Sequence, residues 1–184
     1  RDFCLSRGLG DVYKRQTIAF ATIANSEELL IAIENDTFQN TDRHYTHGTW
    51  ISYTYDVWNL KPHWLYNKPV ESRRLSLGQY MYTPTDIREA DLIEEQRPYG
   101  GLLFVETSDY VKTNNRMRSL SLLVGITGEP SLADTTQRFV HKQIPAAPAP
   151  QGWPNQIGTE VVLNVGASDR HKLCLLYTSD AADE

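Results

Sequence analysis

The sequence predicts an all-β protein: antiparallel strands joined as hairpins, with one short helix between the last two. Three observations lead there. Six segments alternate apolar with small or polar residues over roughly 9 to 11 positions, so that each strand has one apolar face. No stretch approaches the about 20 consecutive apolar residues that a membrane-spanning helix needs. Ten tyrosines and four tryptophans recur through the chain, several of them near strand ends. A membrane barrel has this texture, because only every second residue faces lipid. So does a β-sandwich with one buried face per strand, and the pattern by itself leaves both open.

The ends are read separately from the middle. Residues 1–16 and 173–184 carry no consistent periodicity and look like translated sequencing adaptor, so both are set aside. Both cysteines, Cys4 and Cys174, fall in these runs. What lies between them offers neither a disulfide frame nor a thiolate metal site. Residues 17–24, Thr17 to Ala24, read as the remnant of a signal peptide cut near Ala24, the other reading being an ordinary short strand or helix start. Residues 25–172 then form one domain. A net charge of −5 without a basic stripe argues against nucleic acid as a partner.

The first strand, Leu29 to Phe38, sets Leu29, Ile31 and Ile33 against Ala32, Glu34 and Asp36, with Asn35 on the apolar side. The second, about Thr46 to Asp56, sets Thr49, Ile51, Tyr53 and Tyr55 against Gly48, Trp50, Ser52 and Thr54. In the third, about Arg73 to Thr83, Leu75, Leu77 and Met81 oppose Ser76, Gly78 and Tyr80. A fourth runs near Gly101 to Asp109 with a less regular pattern. The fifth is the clearest, with Leu120, Leu122, Val124 and Ile126 alternating with Ser119, Ser121 and Gly125. The sixth, Ile157 to Val165, repeats the rhythm.

Gly128-Glu129-Pro130 breaks the fifth strand, and Ser131 is placed to cap a helix running to His141 with Asp134 three residues on. Leu132, Thr135, Phe139 and Val140 lie roughly along one face of that helix. Pro145, Pro148 and Pro150 end it. With strands running alternately up and down, the tip after Phe38, the connection from Pro84 to Gly101 and the helical connection from Gly128 to Gln156 meet at one end. The other end carries Trp58, Lys61, His63, Trp64, Tyr66 and Lys68 in one turn and Tyr110, Lys112, Asn114 and Asn115 in another, as a membrane-interface girdle would.

The converging end holds an ordered set of motifs: Asn35-Asp36 with Phe38; Asp42-Arg43 and Tyr45-Thr46 with Gly48; Tyr82-Thr83-Pro84; Arg97-Pro98-Tyr99; Gln137 with His141; Trp153 with Gln156. In order and spacing they resemble the outer-membrane lipid A deacylase family over roughly Leu29 to Asn164. The resemblance implies an antiparallel transmembrane β-barrel in the outer membrane of a Gram-negative bacterium. The chain would supply about six strands, the N-terminal half of a twelve-stranded barrel, with one short extracellular helix.

It also implies the chemistry: calcium-dependent removal of the 3-O-linked acyloxyacyl chain of lipid A, the lipid part of lipopolysaccharide, by a monomer. Ester hydrolysis needs an activated nucleophile and a positive or hydrogen-donating group at the oxygen that becomes negative. The resemblance assigns activation of water to His141. It places Asn35, Thr46 and Gln137 in the catalytic set, and Asp36 and Asn35 as ligands of Ca2+. Arg97 and Arg88 are substrate-contact candidates for phosphate or carboxylate groups. His44 and His47 read as surface residues of a hairpin.

Two departures stand out. Arg88 or Glu89 occupies the place of a family lysine, and the Pro145 to Pro150 segment replaces an acidic residue that follows the histidine. Two other readings remain at this point. One is a non-catalytic outer-membrane barrel that binds lipid or serves structure; the other is a serine-dependent outer-membrane phospholipase.

Overall fold

The computed structural model describes residues 16–24, 27–35, 47–57, 69–144 and 148–171. Seven strands form one antiparallel sheet in sequence order: β1 (Gln16–Ala24), β2 (Glu27–Asn35), β3 (His47–Asp56), β4 (Ser72–Tyr82), β5 (Gly100–Lys112), β6 (Arg116–Thr127) and β7 (Val161–His171). One helix, α1 (Ala133–Gln143), stands between β6 and β7, preceded by a 3-10 turn at Glu129–Ser131. No helix among the described residues is long and apolar enough to cross a membrane.

Register explains the surface. Direct pairing aligns Ile31, Ile51, Leu77, Val105, Val124 and Leu163 in one row across β2 to β7. A second row holds Leu29, Tyr53, Leu75, Thr107, Leu122 and Val165. Every member of the first row is exposed. The opposite face buries Ser52, Ser76 and Ser108, and the Ser52 and Ser76 hydroxyls share a hydrogen bond of 2.8 Å. Higher on that face Trp50, Tyr80 and Phe104 gather around Gly78, where an added Cβ would overlap the Phe104 ring.

A protein in water does not present a continuous apolar wall of this extent with serines behind it, whereas lipid favours that arrangement. Among the described residues no second sheet covers the apolar face. The sandwich reading therefore falls, and the sheet has the form of a β-barrel wall with one face to lipid. Toward the end away from α1, paired charges replace the apolar rows. Arg73 grips Asp109 through two hydrogen bonds of 2.6 and 3.0 Å, and Arg116 pairs with Asp169. The other expected girdle residues, Trp58 to Lys68, lie outside the described residues.

Several elements differ from the sequence reading. The structure describes seven strands, the seventh being β1, which occupies the segment read as signal remnant or short strand. The irregular fourth segment is the longest strand, 13 residues, because β4 and β6 both pair with it along most of its length. The last strand begins at Val161 rather than Ile157: Ile157 N donates to Tyr99 O at 2.9 Å, which holds that stretch against the loop before β5. Ser131 does not cap α1. Leu132 is the N-cap residue, and the Ser131 hydroxyl is buried and donates to Gly128 O at 2.6 Å.

Candidate active site

The site is built on the outer side of the wall, at the rim where β2 and β4 end and β3 and β5 begin. Continuing the apolar face one row beyond Ile33 brings Asn35, His47, Met81 and Gly101 into register. This row is where the covering structure lies. A Cβ added to Gly101 would overlap Ser131 Oγ and Ala133 Cβ, so the absence of a side chain there lets the start of α1 rest on β5. Beside it, Gln79 faces the same way as Leu75 and Leu77, and its Nε2 donates to Ser131 O at 2.6 Å. A polar side chain on a lipid-facing surface is costly unless paired. The pairing pins the 3-10 turn to the wall.

Behind α1 a compact cluster joins two loops. Met81, Ile87, Tyr99, Ala133 and Trp153 are all buried together. Tyr99 and Trp153 rings lie 4.9 Å apart between centroids, and Tyr99 OH donates to Ile87 O at 3.0 Å. Gln151 N also donates to Ile87 O, at 2.9 Å. The connection from β4 to β5 and the connection from β6 to β7 thus form one body. Its stability comes from the aromatic pair and from satisfied backbone groups.

Gln137 and His141 are one turn apart on α1, which puts them on neighbouring positions of one helix face. Gln137 is buried, and Trp153 Nε1 donates to its Oε1 at 2.7 Å. Indole N–H is only a donor, so this bond fixes the amide orientation. The Nε2 of Gln137 is left buried without a partner among the described residues. His141 is half-buried, and its Nδ1 lies 2.7 Å from Pro148 O. A carbonyl only accepts, so Nδ1 carries the proton and Nε2 of the neutral ring is the acceptor. No serine among the described residues is hydrogen-bonded to His141.

The other expected residues divide. Asn35 ends β2, paired through its backbone position with His47. Its side chain, together with Asp36, His44 and Thr46, lies outside the described residues. Arg88 and Arg97 are exposed in the connection from β4 to β5, and neither makes an ion pair among the described residues. Among the described residues no three His, Cys, Asp or Glu side chains gather as a metal site. The expected ligands, Asn35 and Asp36, bring an amide and a carboxylate oxygen, hard donors of the kind Ca2+ takes. The donor chemistry fits the ion.

Sequence reasoning missed Gln79, Gly101 and the Pro148 carbonyl. Gln79 had a signal, being the polar member of an otherwise apolar alternation. A backbone carbonyl carries none.

A wall that turns its apolar face outward and carries a helix against that face at its rim defines an outer-membrane β-barrel protein. The family is a particular one: residues 12–183 match the family described as outer membrane protein LpxR, and the chain belongs to it. That is the lipid A deacylase family which the motifs resemble. No curated protein and no solved structure matches the chain.

Proposed function

We propose that the protein hydrolyses the 3-O-linked acyloxyacyl ester of lipid A in the outer leaflet, with water as the nucleophile. The observation that supports this most directly is the bond from His141 Nδ1–H to Pro148 O at 2.7 Å, which leaves Nε2 as the nitrogen that can act as a base. Nε2 takes a proton from water as the oxygen attacks the ester carbonyl carbon. The C–O bond to the 3-hydroxyl then breaks, the imidazolium returns the proton to that oxygen, and a fatty acid leaves. Membership of the LpxR family supports the substrate class.

Gln137 is assigned as the donor to the oxygen that gains charge: Trp153 Nε1 engages its Oε1, and its Nε2 has no partner among the described residues. Asp36 and Asn35 would hold calcium, and Thr46 would be a further polar group of the catalytic set. Bound calcium supplies a positive centre that stabilises charge on the carbonyl oxygen. Arg88 and Arg97, exposed above the wall, meet the phosphates of the headgroup. The enzyme is taken as a monomer, as the family resemblance implies. A serine route has no support from His141, whose partner is a carbonyl.

Mass spectrometry of lipid A from cells expressing the full-length gene tests this, comparing wild type with His141→Ala, each with and without calcium. Loss of one acyloxyacyl mass is expected in the wild type with calcium only. An unchanged profile in all four samples sinks the proposal and returns the protein to a non-catalytic barrel.

A further inference from the structure

The apolar side of α1 points away from the protein. At about 100° per residue, Ala133, Gln137 and His141 lie within about 80° of one another and face the wall. Asp134, Arg138 and Lys142 follow on one flank, with Arg138 paired to Asp134. The other flank, where no charged residue falls, carries Leu132 and Phe139, then the uncharged Gln143 and Thr136, with Val140 at its edge beside Ala133; the Thr136 hydroxyl is engaged by Leu132 O at 3.1 Å. Leu132 is 56% exposed and Phe139 64%, with Val140 and the following Ile144 exposed as well.

Leu132 adds an independent observation. It adopts φ 60°, ψ 16°, a left-handed conformation in which glycine or asparagine is less strained than leucine. Within the described residues the exposed side chain gains little contact in return. A leucine held at a strained cap and left exposed is explained by surroundings in which apolar exposure is favourable.

We propose that α1 lies in the outer leaflet as an interfacial helix, its Leu132, Phe139 and Val140 flank sunk among lipid acyl chains and its Asp134, Arg138 and Lys142 flank turned to the headgroups. The occupant is lipid because α1 rests on the outer side of the wall, in the row of Gly101 beyond Ile33, and its exposed apolar residues stand on the same side of the sheet as the exposed band of β2 to β7. Segregation of charge to one flank is what a helix lying in the plane of the interface requires. Such a helix would set His141 at the depth where acyl chains join the headgroup. The inference rests on the membrane reading of the wall and on no step of the hydrolysis.

Spin labels test it in the full-length protein, reconstituted in vesicles of phosphatidylethanolamine and phosphatidylglycerol, with every cysteine other than the labelled one replaced by serine. Phe139→Cys and Lys142→Cys are labelled singly, with Val140→Cys as a second apolar-flank position. Folding is checked by the heat-modifiable shift on a gel. Expected is a several-fold excess of collisions with oxygen over a water-soluble nickel complex at 139 and 140, and the reverse at 142. Equal access to the nickel complex at all three positions overturns the proposal by placing the helix in water. Low access to both reagents at 139 and 140 overturns it too, since the flank is then covered by protein, a second copy or the segment 36–46. The readout needs no turnover, so its failure is separate from failure of the hydrolase reading.

Discussion

Gln137 and His141 show how much of a site rests on bonds that a residue list omits. Each is oriented by one hydrogen bond, Gln137 by the indole of Trp153 and His141 by the carbonyl of Pro148. If Gln137 Nε2 donates to the reacting oxygen, then Gln137→Glu keeps an acceptor for Trp153 but removes the donor and adds a repelling charge. A fall in kcat of about 10²-fold is expected, the usual effect of losing one such donor, with the heat-modifiable gel shift retained. Activity within twofold of wild type would remove Gln137 from the catalytic set. Both side chains were singled out only through the family resemblance, since a glutamine and a histidine one turn apart on a helix are by themselves ordinary surface residues. The orienting carbonyl was not, since every residue has one. Ser131 misled for a related reason: serine before a helix is a capping signal, but its hydroxyl is engaged by the Gly128 carbonyl.

Among the elements, α1 depends on a contact that sequence periodicity does not encode. The strands were legible because alternation sets both their faces and their register: Ile51 can pair with Leu77 on the lipid side only if Ser52 meets Ser76 inside. Their ends were less so, because tertiary bonds such as Ile157 N to Tyr99 O decide where pairing starts. The apolar face of the helix was legible as a pattern but not in direction, since burial in protein and exposure to lipid ask for the same residues. What seats α1 is Gly101, where any side chain meets Ser131 and Ala133. In Gly101→Val the helix is expected to lift from the wall while the sheet persists. Trypsin should then cut at Arg138 or Lys142 in the folded protein, and deacylation should be lost. Leu103→Val, on the same strand away from that contact, serves as the control. Resistance to trypsin and full activity in Gly101→Val would show that α1 is held by other contacts.

At the scale of the molecule the open question is closure. Each neighbouring pair from β1 to β7 is joined, yet β1 and β7 do not pair with each other, so the described sheet has two free edges. In the hydrocarbon region each unpaired N–H or C=O costs several kcal/mol, which no side chain on those strands can offset. Curling shut would not help, because up-and-down closure joins first and last strands in antiparallel order only when their number is even, and single-chain bacterial barrels have even strand counts. The sheet therefore has to be completed by further strands, either of the same polypeptide or of another. We expect the 184-residue chain, refolded alone in detergent, to give no compact heat-modifiable band and to remain open to protease along β7. A longer polypeptide with strands to cover both edges is expected to give that band under the same conditions. If the 184-residue chain alone yields it, cross-linking decides between two outcomes: a dimer whose edges complete one another, or a monomer in which residues outside the described strands supply the missing pairing.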